Sequence, residues 1–467
     1  MNGIMKNRTT TGWLLLCSIV LTANGQEKVW EGPSVDFSHG KLTVTENGRF
    51  LIFEDGTPFF YLGDTAWELF HRLNREEAVR YLENRRKKGF TVIQAVVLAE
   101  LDGLNDPNPY GHTPLLGNDP ESPDERYFEH VDFMIQTARE KGLFMGLLPT
   151  WGDKVDKRWG VGPLVFNEKN AYAYGQWLGN RYKDVPNIIW INGGDRPCDG
   201  ATGVWDALGK GIRSADKQHL MTFHPNGGSF SSACFHDSEW LTFNMFQSGH
   251  SEKYISNYRM VAADYGLQPV RPCMDGEPCY EDHPVNWDGK YGWFDDEDVR
   301  RAAYWALFAG AHGHTYGCHP VWQMLDAGRT PVGNARNYWH RVLDLPGAWD
   351  MIHVRNLMES RPRITGAPDP AMIVSDPGNE VNHLQAFRGE GFAFIYLPSN
   401  RSITVDPVPL KAERIRAWWF NPRTGVAEKI GDFNGTSPHI FRTPVAGVDW
   451  ILVLDDATLK PEPDPDL

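Results

Sequence analysis

The chain reads as an α/β protein: a (β/α)8 barrel of the TIM type followed by a β-sandwich. Three observations lead there. Short apolar runs alternate with helical stretches from residue 59 to residue 316. Glycines stand where several of those helices should stop. After Arg363 helical spacing ceases, and only short strands separated by turns remain. A doubly wound sheet would also alternate, but no GxGxxG opens any unit.

Leu42 to Thr45 and Arg49 to Phe53 alternate around Glu46-Asn47-Gly48, a hairpin signal that we place as a plug under the main domain. Strand one is expected at 59–63, with a helix at 75–88 that ends at Gly89. Strand two, 91–98, leads into a loop rich in Pro, Gly and Asn (102–124) and a helix to Lys141. Strand three is 143–148 with its helix at 170–183; strand four is 187–191 with its helix at 205–217. Strands five and six, 220–223 and 241–245, precede a helix at 253–265 and strand seven at 269–274. A helix at 295–308, opened by Asp295, leads to strand eight at 313–316. Further strands are expected at 372–374, 384–387, 391–397, 403–405, 415–420 and 450–454. Within 415–420, Trp418-Trp419-Phe420 must alternate faces, so at least one is core, and packing against the barrel is its expected use.

The 467 residues, 41% hydrophobic with 18 Trp, suffice for more than one domain. Lys6 and Arg8 precede an apolar stretch from Trp13 to Leu21, and Ala23-Asn24-Gly25 resembles a cleavage site. That run is too short for a permanent membrane span. The expected organisation is therefore a signal peptide at 1–25, a catalytic barrel with its hairpin at 26–363 and a sandwich at 364–467, exported to a periplasm or beyond. Of the 6 cysteines, Cys17 lies in the signal. The odd number left (Cys198, Cys234, Cys273, Cys279 and Cys318) means at least one free thiol, with room for one bridge in an oxidising compartment. A formal charge of −14 repels nucleic acid and anionic membranes.

Active sites of such barrels gather at the carboxyl ends of the strands. There strand one offers Asp64 and Trp67, strand two Gln94, strand three Trp151 and Asp153, and strand four Asn192 and Asp195. Strand five offers His224 and Asn226, strand six Asn244 and Gln247, strand seven Asp275 and Glu277, and strand eight His314, Tyr316 and His319. Polar groups alternating with aromatic faces suit a sugar. A lone acidic residue at a strand end ordinarily caps a helix or joins a loop ion pair. Asp195 and Glu277, on opposite sides of one mouth, form instead the carboxylate pair that glycosidic hydrolysis requires. Asp275 and Glu281 are reserve nucleophiles, Asp199 and Asp153 reserve acids. A hydrolytic metal barrel brings a His-x-His from its first strand, whereas this strand ends Leu62-Gly63-Asp64, so neither metal nor cofactor is expected. Ser hydrolysis lacks a GxSxG elbow.

Gly48-Arg49-Phe50 and the run from Asp55-Gly56-Thr57-Pro58 to Thr65-Ala66-Trp67-Glu68-Leu69 resemble the opening signature of a bacterial barrel family whose C-terminal module carries a collagen-binding label. The nearest characterised relative by this resemblance is glycoside hydrolase family 140, apiosidases acting on side chains of the pectin rhamnogalacturonan II. The resemblance runs from about Leu42 to the end. It implies an acid after strand four and a nucleophile after strand seven, which map onto Asp195 and Glu277. The wider superfamily has Asn-Glu where this chain has Gly194-Asp195, and the glycines would let a shorter acid approach the leaving oxygen.

The expectation is thus an exported retaining glycosidase with an oligo- or polysaccharide substrate. Glu277 is the nucleophile and Asp195 the acid/base. His224, Asn192 and Tyr316 orient nucleophile or sugar, Asp64 and Trp67 line the non-reducing end, and Gln94, Trp151, Gln247 and His314 complete the binding set. The rivals are a non-catalytic glycan-binding protein on a barrel scaffold, a glycosidase of another sugar specificity, and a collagen-binding or proteolytic role. Oligomeric state is not legible.

Overall fold

The computed structural model describes residues 29–444 and 449–459; the expected signal peptide lies outside them. The barrel strands are Tyr61–Thr65, Val92–Leu98, Phe144–Thr150, Ile188–Gly193, Met221–His224, Asn244–Gln247, Cys273–Asp275 and Gly313–Tyr316, strands one to eight below. All are parallel to their neighbours, and strand eight pairs with strand one. Between strands five and six Thr242 N donates to Met221 O at 2.7 Å, closing the ring. An additional two-residue strand, Ser229–Phe230, runs antiparallel against strand six.

Alternation along each strand divides the apolar residues in two. Tyr61, Val92, Val96, Phe144, Leu148, Ile189, Ile191, Met245 and Met274 fill the barrel interior. Leu62, Ile93, Ala95, Val97, Met145, Leu147, Ile188 and Trp190 face the helices. The helices begin where polar side chains can hold their free N–H groups. Asn74 and Glu77 form a capping box at Arg75–Lys87, and Asp295 with Asp298 does the same at Asp296–Phe308. A helix that the sequence reading did not list, Pro346–Glu359, follows strand eight.

The N-terminal hairpin pairs Leu42–Val44 with Leu51–Phe53 and gains a third strand, Pro58–Phe59. Phe37, Phe53 and Phe59 surround Phe144, the first residue of strand three, at centroid distances of 5.0, 6.4 and 5.1 Å. The hairpin therefore covers the end of the barrel opposite the strand carboxyl ends. No helix among the described residues is long and apolar enough to cross a membrane.

The C-terminal domain has a six-stranded sheet facing a two-stranded one, Ser402–Val405 with His439–Arg442. The expected strand at 372–374 is a 3-10 turn at Pro370–Met372 with a single bridge, Ile373 to Val405. Ala427–Asn434 and His439–Arg442 are strands that reading missed. Trp419 packs in the domain's own core, whereas Trp418 and Phe420 join the barrel's cluster beside Phe308 and Phe394. All three are buried. Arg300, from the barrel, donates to Asp449 in the sheet domain at 2.9 Å and to Asp350 at 2.6 Å.

Candidate active site

Strand four ends in three residues with left-handed backbone: Gly193 at φ 89°, Gly194 at 142° and Asp195 at 50°. A Cβ on Gly193 would lie 2.5 Å from His224 O, and one on Gly194 would lie 2.9 Å from Gly152 N. Backbone bonds hold the segment between its neighbours. Gly194 N donates to His224 O at 3.1 Å, and Gly152 N donates to Gly194 O at 2.9 Å. This turn lifts Asp195 into the mouth, where its side chain is 24% exposed.

Glu277 stands across the mouth. Strand seven ends at Asp275, and Gly276 N donates to Phe246 O at 2.8 Å. Two imidazoles hold its carboxylate: His250 Nε2 is 3.1 Å from Oε1, and His224 Nε2 is 3.0 Å from Oε2. His224 also receives the Asp195 backbone N–H on Nδ1 at 3.3 Å. A backbone N–H only donates, so Nδ1 is the accepting nitrogen and the imidazole proton sits on Nε2, the nitrogen 3.0 Å from Glu277. One ring thus spans the two carboxylate-bearing loops.

The environments separate the two acids. Burial, then the charge of Glu277, pushes Asp195 up to about 6; the Trp159 indole, 2.9 Å from Oδ2, acts against them. Burial also acts to raise Glu277, but the close contacts of His224 and His250 outweigh it and bring it down to about 2. The pair titrates as a coupled dyad whose first proton leaves the Glu277 side.

Of the remaining expected site residues, three stand around this dyad. Trp67 donates to Tyr280 OH at 3.1 Å and lies 5.2 Å, ring to ring, from Trp151, and both indoles pack on His224. Trp151 Nε1 has no partner among the described residues, nor has Gln247 Oε1, which shares the inward parity of Met245. Both atoms are buried as well as unpaired. Gln94 faces inward too, but both ends of its amide are used. It accepts from Tyr61 OH at 3.2 Å and donates to Gly276 O at 3.0 Å, so it braces the residue before Glu277.

The others are corrected by alternation. Asp64 faces the helices, where Arg85 Nε at 2.6 Å and Tyr81 OH hold it. Asn192 turns outward and donates to Trp205 O at 2.7 Å. His314 and Tyr316 pair in register with the outward Leu62 and Asp64. Tyr316 OH donates to Glu281 at 2.6 Å. Among the reserves, Asp275 accepts from Ser248 Oγ at 2.6 Å and from Asn257, and Glu281 accepts from Gly347 N at the start of the last barrel helix. Asp153 is fully buried on Lys154 and Gly162 N, and Asp199 is exposed beyond the mouth. Asn244 is held by His236, and His319 accepts from Trp322 and contacts Gly333 O. Among the described residues no group of three His, Cys, Asp or Glu is arranged to hold a metal ion.

Sequence reasoning missed His250, Tyr280, Trp159 and Glu100. The first three lie beyond the strand ends, where loop path and not pattern decides position. Glu100 follows strand two and is half-buried; burial and the charges of Glu68, Asp153 and Asp195 push it well above its ordinary value. A bridge between Cys198 and Cys234 ties the loop after Asp195 to the segment after strand five, and Cys273, Cys279 and Cys318 are free.

Residues 45–365 match the model of the "Apiosidase-like, catalytic domain" family, and residues 367–455 match the "Putative collagen-binding domain of a collagenase". A solved glycoside hydrolase is 36% identical with a TM-score of 0.85, the alignment covering 91% of this chain and 99% of that one. A glycoside hydrolase family 5 protein from Bacteroides vulgatus ATCC 8482 is also 36% identical, with a TM-score of 0.86 and coverage of 92% and 96%. A family 5 mannosidase from Rhizomucor miehei shares the fold alone, at 12% identity, a TM-score of 0.51 and coverage of 68% and 98%. No curated protein matches the chain.

Proposed function

The chain belongs to the apiosidase-like family of glycoside hydrolases, and from that premise we propose an exported, retaining glycosidase that removes apiose from the side chains of pectic rhamnogalacturonan II. One observation carries the mechanism: two carboxyl groups on either side of a single imidazole, Asp195 pushed up by burial and the charge of Glu277, and Glu277 held down by two imidazoles. An inverting enzyme needs its second carboxylate to take a proton from water, and a carboxylate held below its ordinary value by two imidazoles is a weakened base. The same weakness suits a nucleophile that must be ionised at the start and must leave again at the end.

In the first step a Glu277 oxygen bonds to the anomeric carbon while the bond from that carbon to the leaving oxygen breaks. The Asp195 proton passes to that oxygen. In the second step water attacks the anomeric carbon, Asp195 takes a proton from it, and the Glu277 ester bond breaks to restore the carboxylate. Trp67, Trp151 and His224 wall the reacting ring. The bridge at Cys198 and Cys234 supports an oxidising destination, in keeping with the basic and apolar N-terminal stretch.

Digestion of a panel of plant cell-wall polysaccharides, with mass identification of the released sugar, tests the substrate; release of some other sugar only would sink apiose. NMR of the first-formed anomer tests retention, and an inverted product would reassign Glu277. Sequencing the N-terminus of the protein recovered from outside the cytoplasm tests export.

A further inference from the structure

Trp159 is 56% exposed, on a loop that contributes little apolar burial of its own. Polar anchors hold it nonetheless. Arg196 Nε donates to Asp156 O at 2.7 Å and Nη2 to Lys157 O at 3.2 Å, while Gly162 N donates to Asp153 Oδ2 at 2.8 Å. A Cβ on Gly160 would stand 2.1 Å from the Asp153 Cβ, so the loop passes close over that buried carboxylate. The Arg196 guanidinium covers one face of the indole, 4.4 Å from the ring centroid. Its N–H donates to Asp195 Oδ2. A large aromatic ring is thus fixed in place, bonded to the acid and backed by a cation, with the rest of its surface in water. Packing does not account for that arrangement.

We propose that Trp159 is both a positioning residue for Asp195 and the platform on which the leaving-group sugar stacks. The proposal rests on the reading of Asp195 as acid/base and Glu277 as nucleophile. The acid must face the leaving oxygen, so a ring bonded to the acid borders the departing saccharide. The open face of an indole matches the apolar C–H face of a pyranose, and the N–H leaves one Asp195 oxygen free for the proton. Groups facing Asp195 are Glu277 from strand seven, His224 from strand five, Arg196 beside it and Glu100 from strand two. The indole N–H is a neutral donor to the carboxylate, so it can be removed without altering a charge.

The test compares Trp159→Ala and Trp159→Phe with wild type on rhamnogalacturonan II, whose leaving group is a saccharide, and on 4-nitrophenyl apioside, whose leaving group needs little protonation. Trp159→Ala is expected to lower kcat/KM on the polysaccharide at least tenfold more than on the aryl glycoside. Trp159→Phe, which keeps a ring and loses the donor, is expected to restore most of that ratio while moving the basic limb of the polysaccharide pH profile upward. Equal losses on both substrates, or no loss on either, would overturn the platform. A basic limb that stays in place in Trp159→Phe would overturn the positioning role. A measurement without substrate stands beside these: tryptophan fluorescence of wild type minus that of Trp159→Phe should titrate near pH 6, and a flat difference from pH 4 to 8 counts against the contact. A Glu277→Gln variant that keeps wild-type turnover would instead refute the underlying mechanism, and would be told apart because the fluorescence titration does not depend on it.

Discussion

Replacing Asp195 by Asn is expected to abolish turnover and at the same time to stabilise the protein above pH 6. The native chain holds the Asp195 proton more tightly than the unfolded chain does, about 6 against an ordinary 3.8. Because the native value is the higher, the favourable contribution is fully present below 3.8 and is lost as pH rises through 6. Above that, the folded protein carries an ionised carboxylate that burial and Glu277 both disfavour. The gap of about two pH units, at about 1.4 kcal/mol each, comes to about 3 kcal/mol. With the side chain 24% exposed, solvent screening brings this to about 2 kcal/mol. Asn is neutral, nearly the same shape and at ease at φ 50°, so it removes the charge without disturbing the turn. Urea unfolding at pH 8 and pH 3.5 measures the effect: the variant should be more stable by about 2 kcal/mol at pH 8 and nearly equal to wild type at pH 3.5. Equal midpoints at pH 8, or the same gap at both values, would show that burial and the Glu277 charge do not act on Asp195 as argued.

Three further outcomes follow from the same geometry. The pH profile of kcat/KM should fall above about 6 as Asp195 ionises and below about 2 as Glu277 takes a proton, with a plateau between; an activity maximum at pH 8 would contradict the roles. Reduction of the Cys198 to Cys234 bridge should lower kcat severalfold with unchanged far-UV circular dichroism, because it releases the loop just after Asp195 from the segment after strand five. Arg300→Met leaves Asp449 and Asp350 without their shared cation at the contact between barrel and sheet domain, and should cost about 3 kcal/mol in chemical denaturation at pH 7 while leaving KM unchanged.

The fold was legible because period and punctuation agree along most of the barrel. Asn74, Asp295 and Gly89 bound their helices close to where the spacing placed them. Strand six was drawn three residues early, at 241–245 against Asn244–Gln247, because Leu241 and Phe243 are as apolar as the strand itself. The strands at 427–434 and 439–442 escaped notice because Glu428-Lys429 and Gly431-Asp432 break up the first, the second is only His439-Ile440-Phe441-Arg442, and both are largely exposed. The site was legible in a different measure. Pattern reading selects the carboxyl end of each strand, but an error of one residue exchanges inside for outside. Asp64, Asn192, His314 and Tyr316 were chosen at the right height and on the wrong face. Alternation from Ile189 and Ile191 would have turned Asn192 outward from the sequence itself. No such rule reaches His250 or Trp159, because each stands on a loop whose path depends on contacts with distant segments.

Asp195 and Glu277 escape that parity problem because neither belongs to its strand. Each stands two residues past the last ladder residue, Gly193 and Asp275, where the backbone no longer alternates. For Glu277 the change of direction comes at Gly276, which passes against Met245 so closely that a Cβ would lie 2.3 Å from its sulfur. For Asp195 it comes from Gly193 and Gly194, whose positive φ values and lack of side chains bring the chain between His224 O and Gly152 N. An aspartate reaches less far than a glutamate by one methylene. The path through two glycines makes up that distance with backbone, and the backbone N–H it exposes is the one that fixes the His224 tautomer. The short acid and the double glycine are therefore one device: the same turn that carries Asp195 toward the leaving oxygen also leaves the imidazole proton on the nitrogen beside Glu277.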